Sequence, residues 1–88
     1  MVNNRRSEME IIAEILTLSM NGSKTIELLY QGNLSYTQLK NYLPYLLEKN
    51  ILEEGYVINN GNTYRLYQVT EKGLNLLKDI KKILVHFD

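Results

Sequence analysis

At Asn50 the hydrophobic period of this chain changes, and that change restricts it to a small set of mixed folds. Upstream, apolar residues recur every three or four positions, the spacing of helices that pack by one face. Downstream, "ILEEGYVI" and "TYRLYQV" are rich in β-branched and aromatic residues and flank the turn signal "NNGN". This predicts a hairpin over 51–69. Its second strand runs directly into "TEKGLNLLKDIKKILVHF", where Thr70 can cap a last helix from Glu71 to about His86. A length of 88 residues leaves room for one small core, so residues 1–88 are expected to form a single domain.

Three helices are expected before the hairpin. Ser7 can cap the first, with Glu10 in the capping-box position, and Ile11, Ile12, Ile15, Leu16 and Leu18 line one face from Glu8 to Met20. Asn21 and Gly22 stop it. Ser23 starts a short second helix, about Lys24 to Gln31, in which Ile26, Leu29 and Tyr30 share a face and Gly32 ends the element. Ser35 caps the third, Tyr36 to Lys49, with Leu34 and Leu39 placed close to a hydrophobic staple. Wound at helical pitch, this segment turns Leu39, Leu43, Leu46 and Asn50 inward and sets Tyr36, Tyr42 and Leu47 at the margins. Thr37, Asn41, Pro44, Tyr45 and Glu48 face outward.

The chain's only proline therefore sits in the middle of a helical pattern. Lacking an N–H, it frees the carbonyl of Lys40 and clashes there, at roughly 3 kcal/mol or more in a helix interior. On the outer face that carbonyl can turn to water and the helix can bend, so one kinked helix is expected. The alternative is a helix that ends near Tyr42 and restarts with Pro44 in its first turn.

Three helices with a tight turn between the second and third, then a hairpin and a closing helix, is the order of a winged helix-turn-helix, an α+β fold that is mainly α. "YQGNLSYTQLKNY" supplies the turn glycine and the short polar side chains that such a module needs to reach base edges. Gln38 and Asn41 carry the paired donor and acceptor that grip an adenine edge. Ser35, Tyr36 and Thr37 lie near the helix amino terminus, where phosphates or bases are reached, and Lys40 suits a phosphate. Tyr45 is expected to be exposed and available to the DNA backbone. At the hairpin tip, Asn59, Asn60, Asn62 and Arg65 suit a minor groove or backbone contact. A polar face that is merely solvated has the same pattern.

Of the seven tyrosines, Tyr30, Tyr42 and Tyr67 are expected in the core or at its margin, and Tyr56 and Tyr64 are placed to pair across the hairpin. "NNRR" near the amino terminus is either a basic arm or a tail. In the last helix, Leu77, Ile80, Leu84 and Phe87 step by three and four, a coiled-coil-like seam, and Leu74, Leu76 and Ile83 widen it. A homodimer joined through 71–87 is the expectation, the alternative being that the stripe folds back on its own domain. Lys78, Lys81 and Lys82 form that helix's wet face.

Composition narrows the chemistry. Ten Lys and Arg cancel ten Asp and Glu, so no global basic field announces a nucleic-acid or membrane partner, and any such claim rests on local arrangement. No cysteine and a single histidine, His86, leave no metal site, and no cofactor is expected. No carboxylate pair, nucleophile with a base, or phosphate-cradling glycine loop is evident, so no catalytic residue and no enzyme is expected. Neither a transmembrane span nor a signal peptide stands out, and a cytoplasmic, nucleoid-associated protein without a membrane or small-molecule partner is expected.

The stretches "KTIELLYQGNLSYTQLKNYLPYLLEKNIL" and "YQVTEKGLNLL" make the chain resemble the small archaeal winged-helix DNA-binding proteins, over about Met9 to Leu77. The resemblance implies an archaeon or one of its viruses or plasmids as the source, binding to double-stranded DNA, and dimerisation through the last helix, in some members as an antiparallel coiled coil. Two features depart from that family: Pro44 inside the third helix, and a last helix too short for the long coiled coil of the chromatin-type members. Neutral charge argues against a protein that coats DNA, since each neutralised phosphate needs its Lys or Arg. A regulator of a few sites is expected, with a winged-helix module that binds a protein as the alternative.

Overall fold

Helix starts in this chain are set by side chains that satisfy the first backbone N–H groups, which have no partner inside the helix. In the computed structural model, which describes residues 7–86, α1 spans Glu8–Leu18, α2 Thr25–Gln31, α3 Tyr36–Glu48 and α4 Glu71–Val85. Ser7 Oγ accepts from Glu10 N at 3.2 Å while Glu10 Oε1 accepts from Ser7 N at 3.1 Å, a complete capping box. Thr70 Oγ1 accepts from Gly73 N at 3.0 Å and starts α4. The second helix is closed differently. Its cap position is Lys24, whose N–H donates to the Glu27 carboxylate at 2.8 Å.

Ser23, expected to start α2, is used for tertiary pairing instead. Its N–H donates to Tyr67 O at 2.9 Å and its carbonyl accepts from Tyr67 N at 2.8 Å, which lays the α1–α2 connection along the hairpin. The hairpin itself pairs β1 (Leu52–Asn59) with β2 (Asn62–Val69), from Leu52 opposite Val69 to Asn59 opposite Asn62. Asn60 and Gly61, at φ 53° and 79°, form the two-residue turn with both φ positive that matches strand twist. That register corrects one expectation: Tyr56 faces Arg65, and Tyr64 faces Val57. Tyr56 and Tyr64 are one residue out of step and so lie on opposite faces of the sheet.

The core gathers Ile15, Leu16, Leu28, Leu39, Leu46 and Leu52, closed below by Tyr67, Val69, Leu77 and Ile80. The inner face of α3 is the expected Leu39, Leu43 and Leu46. Asn50 is not part of it, lying past the helix end at φ 59° in an exposed turn. Helix α2 buries a different face from the one expected: Leu28 is 0% exposed, whereas Ile26 and Tyr30 are 55% and 80% exposed. Seven residues are under two turns, and with Leu28 and Leu29 adjacent the apolar spacing cannot choose between faces. Pro44 lies on the exposed side of a continuous α3, and the alternative of two separate helices does not occur.

The "VTEKG" segment works as a clamp on the far end of α3. Thr70 Oγ1 lies 2.6 Å from Asn50 O and 3.0 Å from Ile51 O, Thr70 N donates to Ile51 O at 3.1 Å, and Lys72 Nζ donates to Lys49 O at 2.8 Å. Carbonyls at and beyond the carboxy-terminal end of the third helix are thereby satisfied, two of them with help from side chains. The last helix then packs along α1. Its expected seam is only partly free, because Leu77 and Ile80 are buried inside the protomer and Leu74 and Leu84 are half-buried against the same core. Ile83 and Val85 remain exposed, and Phe87 lies outside the described residues. The architecture is a winged helix-turn-helix of four helices and a two-stranded hairpin, mainly α.

Candidate nucleic-acid interface

A short cap, a polar outer face and the flanking wing make up the surface around α3. Ser35 Oγ accepts from Gln38 N at 3.0 Å and Gln38 Oε1 accepts from Ser35 N at 2.9 Å, so this pair closes a second capping box. Ser35 and Gln38, both expected to face DNA, are therefore committed to holding the helix start. The side-chain oxygen of Gln38 is engaged by the backbone N–H of Ser35, so a two-point grip on adenine would have to use that oxygen's second lone pair or open the cap.

Tyr36, Thr37, Lys40, Asn41 and Tyr45 are exposed along the outer face, as expected. They do not share one environment. Lys40 and Tyr36 border a cleft between α3 and the wing, whereas Asn41 and Tyr45 border a groove on the opposite side, shared with Glu8, Ile12 and Tyr42 of the α1–α3 seam. Burial, and then the charge of Glu8 and a hydrogen bond to it, raise the Tyr42 hydroxyl above its ordinary pKa. A carboxylate thus stands in the same groove as Asn41, midway along the helix.

Asn59, Asn60 and Asn62 are at the wing tip, as expected. Arg65 is not. It sits in mid-strand opposite Tyr56, because the tight turn places the tip between Asn59 and Asn62. There its guanidinium lies 5.9 Å from the Tyr56 ring centre and Nε is 3.7 Å from Glu54 Oε2. Donation to the hydroxyl of Tyr67, and then of Tyr56, shifts Arg65 further above its ordinary pKa, so it is a fixed cation.

One cation escaped the sequence reading. Lys24 Nζ rests 4.0 Å from the centre of the Tyr64 ring, at the start of α2, and shares with Ile26 and Arg65 a shallow groove beside the wing. Arg65 borders both grooves, so Lys24, Arg65 and Lys40 follow one another across α2, β2 and α3. No local signal joins these three, since their separation along the chain is bridged only by the fold. Among the described residues, no cluster of His, Asp and Glu could hold a metal ion, and no helix is long and apolar enough to cross a membrane.

A family model described as winged helix-turn-helix matches residues 5–86. No curated protein matches the sequence. Among solved structures, the chain is similar to Sso10a-2, a DNA-binding protein from Sulfolobus solfataricus, with a TM-score of 0.73 and 25% identity over 90% of this chain and 79% of that one. It also shares its fold with the circadian clock associated protein Pex from Anabaena, at a TM-score of 0.70 and 18% identity over 93% of this chain and 80% of that one. A third likeness of fold is to ZitR, a zinc-responsive MarR family member from Lactococcus lactis, with a TM-score of 0.62 and 20% identity over 88% of this chain and 52% of that one. With the helix-turn-helix, the wing and the closing helix all present within a match that spans nearly the whole chain, the protein belongs to the winged helix-turn-helix family.

Proposed function

We propose that this protein binds double-stranded DNA as a homodimeric transcription regulator, with the outer face of α3 in the major groove and the wing against the adjacent backbone and minor groove. One observation carries the reading: in a chain whose charges cancel, Lys24, Arg65 and Lys40 line consecutive grooves around the exposed helix. Such a track positions a phosphate backbone, while Thr37 on the outer face and Asn41 on the α1 side of the helix carry groups that distinguish bases. The similarity to Sso10a-2, a DNA-binding protein, supports the same reading. A few cations and no basic field suit occupation of particular sites better than coating.

The second copy is expected to meet α4 at Ile83 and Val85, with the half-buried Leu74, Leu76 and Leu84 beside them, rather than along the whole seam. Two symmetry-related α3 helices then set the spacing of half-sites. Ile83→Glu should release monomers, seen by sedimentation, and weaken binding to a two-half-site duplex more than to a single half-site.

The deciding experiment is an anisotropy titration against random-sequence duplexes at two salt concentrations. Each phosphate-bound cation contributes roughly 0.9 to the slope of log K against log salt, so Lys40→Ala, which removes one contact from each protomer, should lower the slope by roughly 1.8 for the bound dimer and weaken binding to every sequence. Asn41→Ala should relax preference at one base pair, by about 1–3 kcal/mol. Absence of binding at low salt would overturn the proposal. The reading that then takes over is a protein-docking wing, which the exposed Tyr56 and Ile58 favour; Tyr56→Ala would be the costly change and salt would matter little.

A further inference from the structure

We infer that the cleft between α3 and the wing is a binding site for a small, flat organic carboxylate, and that its occupant excludes DNA from Lys40 and Arg65. The binding half stands by itself; the exclusion half rests on the DNA-binding reading above.

The cleft has a volume of about 350 Å³. Ligand pockets run from roughly 300 to 1,000 Å³, so this one lies at the small end of the range and accepts one or two fused rings. Leu39, Leu43, Pro44 and Leu47 provide an apolar floor, with Arg65 and Lys40 at the rim. A phosphate backbone would use the two cations but has no use for the floor. A flat hydrocarbon body carrying one negative charge uses both.

Pro44 is the feature that the fold does not account for. It costs about 3 kcal/mol in a helix interior, less on an outer face, and it is exposed, so it adds nothing to the core. What its ring does provide is apolar surface at an outward position, inside the cleft.

Charge supports an anion of single charge. Arg65 and Lys40 are opposed there by Glu54, leaving one net positive charge. Glu54 approaches Arg65 only through Nε, at 3.7 Å, a loose pair that an incoming carboxylate can replace. The guanidinium lies 5.9 Å from the centre of the Tyr56 ring, and the buried Tyr67 lines the same cleft. A planar donor at the rim of an apolar floor is the recognition chemistry of an aromatic acid.

The test is an amide NMR titration of the full chain with 2-naphthoate, and with 2-naphthamide as the neutral isostere. Saturable shifts confined to the amides near Thr25, Leu39 to Leu47 and Arg65 to Tyr67 are expected, with the amide bound about tenfold more weakly. Arg65→Gln should weaken naphthoate about tenfold and leave naphthamide unchanged, whereas Glu54→Gln should tighten naphthoate, a change that a purely structural role would not produce. Shifts that fail to saturate, shifts scattered over the surface, or equal binding of the two compounds would overturn the site. If naphthoate saturates the cleft and leaves the DNA titration unmoved, the exclusion half is overturned. Failure to bind any DNA would count against the DNA reading alone, and the NMR titration still decides the site.

Discussion

A methyl group on Gly73 would lie 2.2 Å from Ile51 O and 2.6 Å from Val69 Cγ2, too close for either to yield cheaply. In a free helix alanine is better than glycine by about 1 kcal/mol, but overpacking against backbone typically costs 1–3 kcal/mol and here reaches the upper part of that range. Gly73→Ala should therefore destabilise the protein by about 2 kcal/mol net, measured by urea unfolding. Ser19 makes the converse case. It is fully buried after α1, and among the described residues its hydroxyl has no hydrogen-bond partner, while its backbone carbonyl accepts from Val69 N at 3.1 Å. Ser19→Ala keeps the backbone bond and removes the orphan group, so a gain of about 1 kcal/mol is expected in the same assay. A loss of stability would mean that the hydroxyl has a partner after all.

Among the elements, α3 bears the clearest conflict between local preference and context. Pro44→Ala restores the donor to Lys40 O and removes the ring clash, worth about 3 kcal/mol at most. It also frees the unfolded chain, which costs up to about 1 kcal/mol. The first effect is larger, so a net gain of about 1–2 kcal/mol is expected, read from the denaturation midpoint, with weaker naphthoate binding as the functional counterpart. An unchanged or lower midpoint would show that the proline suits the path that α3 takes over the core.

At the scale of the whole molecule, the outer surface of α3 is electrically lopsided, with Lys40 and Arg65 towards the wing and Glu8 beside Asn41 on the α1 side. DNA is therefore expected to lean towards the wing, and Glu8→Gln should tighten binding to random duplexes about threefold at low salt, an advantage that fades as screening increases. An anisotropy titration showing no change at low salt would place the DNA path away from α1. The sequence by itself determined the elements, because their signals are local: caps at Ser7, Ser35 and Thr70, a turn at Asn60 and Gly61, and a change of period at Asn50. It also determined the inner face of α3, long enough for its spacing to be decisive. Only the tertiary structure decided which side of the short α2 is buried, how the strands register, and that Leu77 and Ile80 are consumed within the protomer. The same holds for the site. Lys24, Lys40 and Arg65 belong to three elements, so which cations converge depends on contacts between distant segments that no local pattern encodes, whereas the capping box of Ser35 and Gln38 is a local Ser-x-x-Gln pattern.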